Sequence, residues 1–147
     1  MIIDVKSPEE ARKQIEKLSK EKKQVLVLGK SIDFNRVILE NKRVNILILS
    51  HTNKKDMLKQ RDSGLNHVLC NLASKNKITL AFDFSELKAE KKEKALILAR
   101  WMQNIKLMRK SKNKIKLINT ENIDERDLFS FLLTLGANTQ QATMAVS

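Results

Sequence analysis

In 147 residues this chain has one cysteine, no tyrosine, one tryptophan and two histidines. Each shortage removes a class of function. A lone Cys70 cannot form an internal disulfide, so the chain reads as a protein of a reducing cytoplasm. With no tyrosine, and with Trp101 inside a helical apolar pattern, an aromatic platform for stacking single-stranded bases is not expected. No apolar run approaches the roughly 20 residues that cross a bilayer. The start, "MIIDVKSPEE", lacks the basic-then-apolar layout of a signal peptide, and no membrane partner is expected. Acidic residues are also short: 17 Asp and Glu face 29 Lys and Arg, a net charge of +12 and a pI near 9.9. Such an excess favours a polyanionic partner. It is concentrated in "KLMRKSKNKIK" (residues 106–116), which holds six basic residues and no acid.

What the chain does have is a core, since 41% of its residues are apolar, and it has an order of elements. Residues 1–147 read as a single α/β domain, with no linker, repeat or low-complexity tract. Short β-branched runs at 2–5, 24–29, 44–49, 78–83 and 114–119 alternate with amphipathic stretches at 8–22, 34–41, 64–76 and 89–110. Ser7, Pro8 and Glu10 supply a cap, a first-turn proline and a capping-box acid. Asp124 can cap a helix through Leu135, Gly136 can end it in the left-handed region, and Thr139 can start a last short helix. Five βα units in succession imply a parallel sheet, either open and doubly wound or part of a (β/α) barrel. The expectation is a partial or open TIM-like barrel of about five strands, because a complete one needs about 250 residues. Function gathers at the carboxyl ends of such strands. Here those ends are Gly29–Lys30, Ser50–His51, Asp83–Phe84 and Asn119–Thr120.

The stretch "RDSGLNHVLCNLA" (residues 61–73) stands out near one of those ends. On a helix starting at Gly64, Leu65, Val68, Leu69, Leu72 and Ala73 share an inward face, and His67 lies opposite with Ser63, Cys70 and Ser74 beside it. Asp62 or Ser63 can cap that helix, and Gly64 leaves its first amides open to a phosphate. Arg61 and the loop cations Lys54, Lys55 and Lys59 stand before it.

These residues carry a resemblance. "VNILILSH", "RDSGLNHVLCNLA" and "ITLAFDFSEL" are similar to successive segments of archaeal ribonuclease P protein component 3. "FNRVILENKRVNIL" upstream and "DERDLFSFLLTLG" downstream extend the likeness from about residue 5 onward. Two departures stand out: that family's members begin with further strand–helix units, and their Ser-Ser-Gly turn is replaced here by "NTENID". The resemblance implies a barrel-type protein subunit of the ribonucleoprotein that removes the 5′ leader of precursor tRNA. Its partners would be the ribonuclease P RNA, precursor tRNA, protein component 2 and other protein subunits. Catalysis and Mg²⁺ would belong to the RNA, with no cofactor bound by this chain. The expected RNA contacts are Lys54, Lys55, Lys59, Arg61, Gly64 and His67, with Lys106, Arg109, Lys110, Lys112 and Lys114 as a second group. Asp62, Ser63 and Asn66 are expected to brace the motif.

A catalytic site of the chain's own finds little support in the residues. His51 and Asp83 at neighbouring strand ends could be half of a metal site, but no third ligand is evident. A hydrogen-bonded His51 that fixes a loop is the preferred reading. Cys70 with His67 lacks an oxyanion donor and an orienting acid. "LVLGK" lacks the phosphate-loop pattern. The alternatives to an RNA-binding subunit are a stand-alone metal-dependent phosphoesterase-like hydrolase of the same barrel class and a basic scaffold that binds only proteins.

Overall fold

The computed structural model describes residues 1–52 and 62–146. Five parallel strands alternate with helices along the chain: β1 (Ile2–Ile3), α1 (Pro8–Lys20), β2 (Leu26–Leu28), α2 (Ile32–Leu39), β3 (Ile46–Leu49), α3 (His67–Lys75), β4 (Thr79–Asp83), α4 (Lys91–Ser111), β5 (Ile115–Ile118), α5 (Glu125–Thr134) and α6 (Thr139–Val146). A 3-10 turn, Phe84–Lys88, leads from β4 into α4. Sequence signals set most boundaries. Ser7 Oγ accepts from Glu10 N with Pro8 at the first position of α1, and Asp124 caps α5 through Arg126 N. Ser31 caps α2 two residues earlier than the apolar pattern suggests. Gly136, at φ +103°, follows the end of α5 in a conformation that costs glycine little.

The strands lie side by side in chain order, β1-β2-β3-β4-β5, all parallel. That order has no reversal point, so the doubly wound alternative is excluded. The alternation of the strands shows where the helices lie. Val27, Leu47, Leu49, Leu80, Phe82 and Leu117 pack with Ala11, Ile15, Ile38, Leu69, Ile97 and Trp101 in the main core. The intervening residues Ile46, Ile48 and Ala81 form a second, smaller cluster with Leu26, Leu28 and Ile118, to which none of the described helices contributes. Helices on one face and a short-range apolar cluster on the other make a barrel wall. The wall is open: among the described residues β1 pairs only with β2, and β5 only with β4. Small barrels close with about eight strands.

Trp101 anchors the centre. It is fully buried and edge-on to Phe82, with ring centroids 4.8 Å apart, and to Phe84 at 6.3 Å and Phe131 at 6.3 Å. Such tilted pairs add to the burial of area. The ring is thus spent on the core, in keeping with its place in the helical pattern.

Candidate nucleic-acid interface

The chain leaves β3 through Ser50, His51 and Thr52 and returns at Asp62, and both ends of the intervening segment are held from below. His51 is fully buried. Its backbone N–H donates to Glu86 Oε2 at 2.8 Å, and its Nδ1 lies 2.9 Å from Glu86 Oε1. Arg100 Nη1 donates to the His51 carbonyl at 3.1 Å. The other ring nitrogen, Nε2, is 3.0 Å from Asn104 Nδ2. The imidazole also packs on Phe82 and Trp101, at centroid distances of 5.2 and 5.8 Å.

The returning turn is held by the same helix. Asn104 Nδ2 donates to the Ser63 carbonyl at 3.1 Å, and Gln103 Nε2 to Ser63 Oγ at 3.3 Å. Ser63 Oγ in turn donates to the Leu65 carbonyl, also at 3.3 Å. From α2, Asn35 Nδ2 donates to the Gly64 carbonyl at 2.8 Å, while its Oδ1 accepts Lys30 N at 2.8 Å. Asp62 Oδ1 accepts Gly64 N at 3.1 Å. Gly64 has φ +76°, where a side chain would be strained. Asn66 Oδ1 accepts Leu69 N at 2.9 Å and caps α3. Asp62, Ser63 and Asn66 thus each hydrogen-bond to backbone within two or three residues of themselves.

Several expectations need correction. The helix begins at His67 rather than Gly64, because Asn66 and not Asp62 or Ser63 is the cap. Leu65 is consequently outside the helix, and the buried face is Leu69, Cys70 and Ala73. Compared with the expected face this is a rotation of about 100°, or one residue. Val68 is half exposed and Cys70, placed outside by the sequence pattern, is fully buried. Gly64 is buried, with its N–H and carbonyl both bonded within the protein, so it offers no open amide to a phosphate. His67 keeps its assigned place: it is exposed on the first turn of α3. Lys54, Lys55, Lys59 and Arg61 lie outside the described residues.

In the second basic group Lys106, Arg109, Lys110, Lys112 and Lys114 are all exposed around the end of α4. Lys112 ends the helix in the left-handed region at φ +52°. The Arg109 guanidinium donates to the Gly136 carbonyl, which ties α4 to the end of α5. At the other strand ends, Lys30 pairs with Asp4 and joins β2 to β1. Asp83 Oδ1 accepts from Ser85 N, Ser85 Oγ and Asn119 Nδ2, at 2.9, 2.6 and 2.8 Å. Asp83 and His51, the two weak metal-ligand candidates, are thus engaged in holding loops. Among the described residues no three His, Cys, Asp or Glu side chains gather as metal ligands. Burial pushes the Cys70 thiol up to about 12, which keeps it protonated at neutral pH.

Asn35, Glu86, Arg100, Gln103 and Asn104 were not singled out by the sequence. A signal for two of them was present. Asn35 sits between Phe34 and Ile38–Leu39, and Asn104 falls in register with Trp101, Ile105 and Met108 on apolar helix faces. A polar residue on such a face must find a partner.

The chain is 32% identical over 109 residues to ribonuclease P protein component 3 of Methanococcus maripaludis strain C6, covering 74% of this chain and 44% of that protein. It is 27% identical over 111 residues to the protein of the same name from Methanothermobacter thermautotrophicus, covering 75% and 43%. No family profile matches it. Among solved structures it is similar to a chain of an archaeal ribonuclease P determined by cryo-EM with mature tRNA. There the TM-score is 0.76 and identity 26%, over 97% of this chain and 62% of the other. An uncharacterized protein with 8% identity and a TM-score of 0.63 shares the fold alone. The chain spans less than half the length of the curated relatives it matches, 44% and 43% of them. Over that span it belongs to the ribonuclease P protein component 3 family.

Proposed function

We propose that this chain is an RNA-binding protein subunit of ribonuclease P, which removes the 5′ leader of precursor tRNA. The observation that carries the reading is the coincidence of the family-like segment "RDSGLNHVL" with a clamped turn at the carboxyl rim of the sheet, next to the exposed His67. In this reading the chain stabilises the catalytic RNA together with component 2 and other protein subunits. The divalent-metal chemistry belongs to the RNA.

The contact is mainly with phosphates. Lys54, Lys55, Lys59 and Arg61 precede the clamped turn in the sequence, and His67 offers an outward imidazole to a phosphate or 2′-hydroxyl. Lys106, Lys110, Lys112 and Lys114 provide a second cationic surface, with Arg109 contributing charge from its tether to α5. The stand-alone hydrolase draws little on His51, whose two ring nitrogens meet Glu86 and Asn104, or on Asp83, whose Oδ1 accepts from Ser85 and Asn119.

Binding to the ribonuclease P RNA measured across a salt series tests the proposal. Affinity should fall steeply with salt, and Arg61→Ala should lower the slope by about one unit. Binding that ignores salt would favour the protein-only scaffold and overturn the reading.

A further inference from the structure

Three turns of the chain place a lysine where glycine is favoured. After α1, Lys22 N–H donates to the Ser19 carbonyl and Lys23 N–H to that of Leu18. The same pair of bonds follows α3, through Lys77 and Ile78, and α4, through Lys112 and Asn113. These are Schellman turns, in which the residue after the helix is left-handed and usually glycine. Lys22, Lys77 and Lys112 stand there at φ +57°, +57° and +52°, where a side chain is disfavoured. The chain does use glycine in this motif, since Gly136 closes α5 with the same bonds. The helix dipoles do not call for the three lysines either, because Lys20, Lys75 and Lys110 already stand in the last turns.

All three turns lie at one end of the sheet, because each leads from a helix into the amino end of the next strand. The turn into β3 lies at the same end and carries Lys42 and Arg43, and Lys114 precedes β5. Together the four turns hold seven exposed cations and two acids. Both acids are engaged, Glu21 with Lys23 at 3.1 Å and Glu40 with Arg36 at 3.6 Å. Among the described residues Lys22, Lys77 and Lys112 make no ion pair. The carboxyl end has the other sign: its described connections hold six acids and three lysines. In sheet order the cationic turns enter β2, β3, β4 and β5. They form a row of about 14 Å, at about 4.8 Å per strand.

We propose that the amino end of the sheet is a face for the phosphate backbone of RNA, which adds Lys22, Lys42, Arg43 and Lys77 to Lys112 and Lys114. The inference rests on the reading above for the identity of the polyanion, and it uses no residue of the segment 53–61. Ammonium groups on flexible stems hold a backbone without reading bases. Lysine is kept at three strained turns because those positions supply charge, not turn stability.

Glycine at the three positions separates charge from fold. The full chain carrying Lys22→Gly, Lys77→Gly and Lys112→Gly should melt at or above the wild-type temperature, since glycine takes these φ values without strain. A variant that melts well below wild type would show that the lysines hold the turns, and overturns the assignment. Ribonuclease P RNA and precursor tRNA are each titrated over a salt series with wild type, the triple glycine variant and a matched control. The control carries Lys91→Gln, Lys92→Gln and Lys94→Gln, which removes equal charge at the other end of α4. The glycine variant should lose affinity for at least one RNA on the order of a hundredfold at about 0.1 M salt, and its salt slope should fall by about 2–3 units. The RNA that shows the loss is the one that lies on this face. The control should lose less than about threefold, because distant surface charges are screened. Equal losses in the two triple variants would mean net charge and no particular face, which overturns the proposal. So does wild-type RNA affinity in the glycine variant, and loss of another protein subunit instead would assign the face to an acidic protein. The wider reading survives both results. It falls, and this inference with it, only if wild type binds neither RNA in a salt-dependent way.

Discussion

Gly29, at the end of β2, has no room for a side chain. A Cβ there would lie 2.9 Å from Asn35 Oδ1 and 3.0 Å from the Ile48 carbonyl. Neither can withdraw: Gly29 N donates to that carbonyl at 2.7 Å, and Asn35 is bonded at both ends of its amide. Gly29→Ala should therefore destabilise the protein by about 1–3 kcal/mol, as overpacking does, in chemical denaturation. A variant as stable as wild type would contradict the close approach. At this scale the sequence was readable where one local rule decides. Pro8 opens a helix, Gly136 follows one, and His67 faces water. It misled where two local rules compete. Val68 and Cys70 exchanged places because the face of α3 depends on where its first turn is nucleated.

That start is a property of the element. Asp62, Ser63 and Asn66 are all good caps by type, and periodicity cannot choose among them. The choice comes from residues distant in sequence: Asn35 and Asn104 hold the carbonyls of Gly64 and Ser63, which pins the turn and leaves Asn66 as the cap. Asn66→Ala should cost about 1 kcal/mol, with the loss seen as faster amide exchange in the first turn of α3. Unchanged exchange there would show that the turn, rather than the cap, holds the helix end. The strands were readable for a different reason. Ile46–Leu49 is buried on both faces and its sequence is continuously apolar. The first strand was expected over 2–5 but pairs only through Ile2 and Ile3, since Asp4 has already turned to Lys30.

At the scale of the molecule, one face of the sheet is covered by helices and the other holds a small apolar cluster, and among the described residues both edges are unpaired. Parallel βα order told the sequence reader to expect this wall, and chain length told against a closed barrel. The side-chain bridges along its rim could not be foreseen, because each joins residues far apart in the chain: 35 with 64, 51 with 86, and 63 with 104. A net charge of +12 sits on this scaffold. Charge alone permits any polyanion. The function proposed above narrows the choice to one ribonucleoprotein. The most direct measurement is leader removal from precursor tRNA by ribonuclease P RNA, with and without this chain and in the presence and absence of component 2. The account predicts that adding the chain with component 2 raises the rate, and that, with RNA and protein below saturation, Arg61→Ala lowers that gain more at low salt than at high. A rate indifferent to the chain in every combination would contradict it.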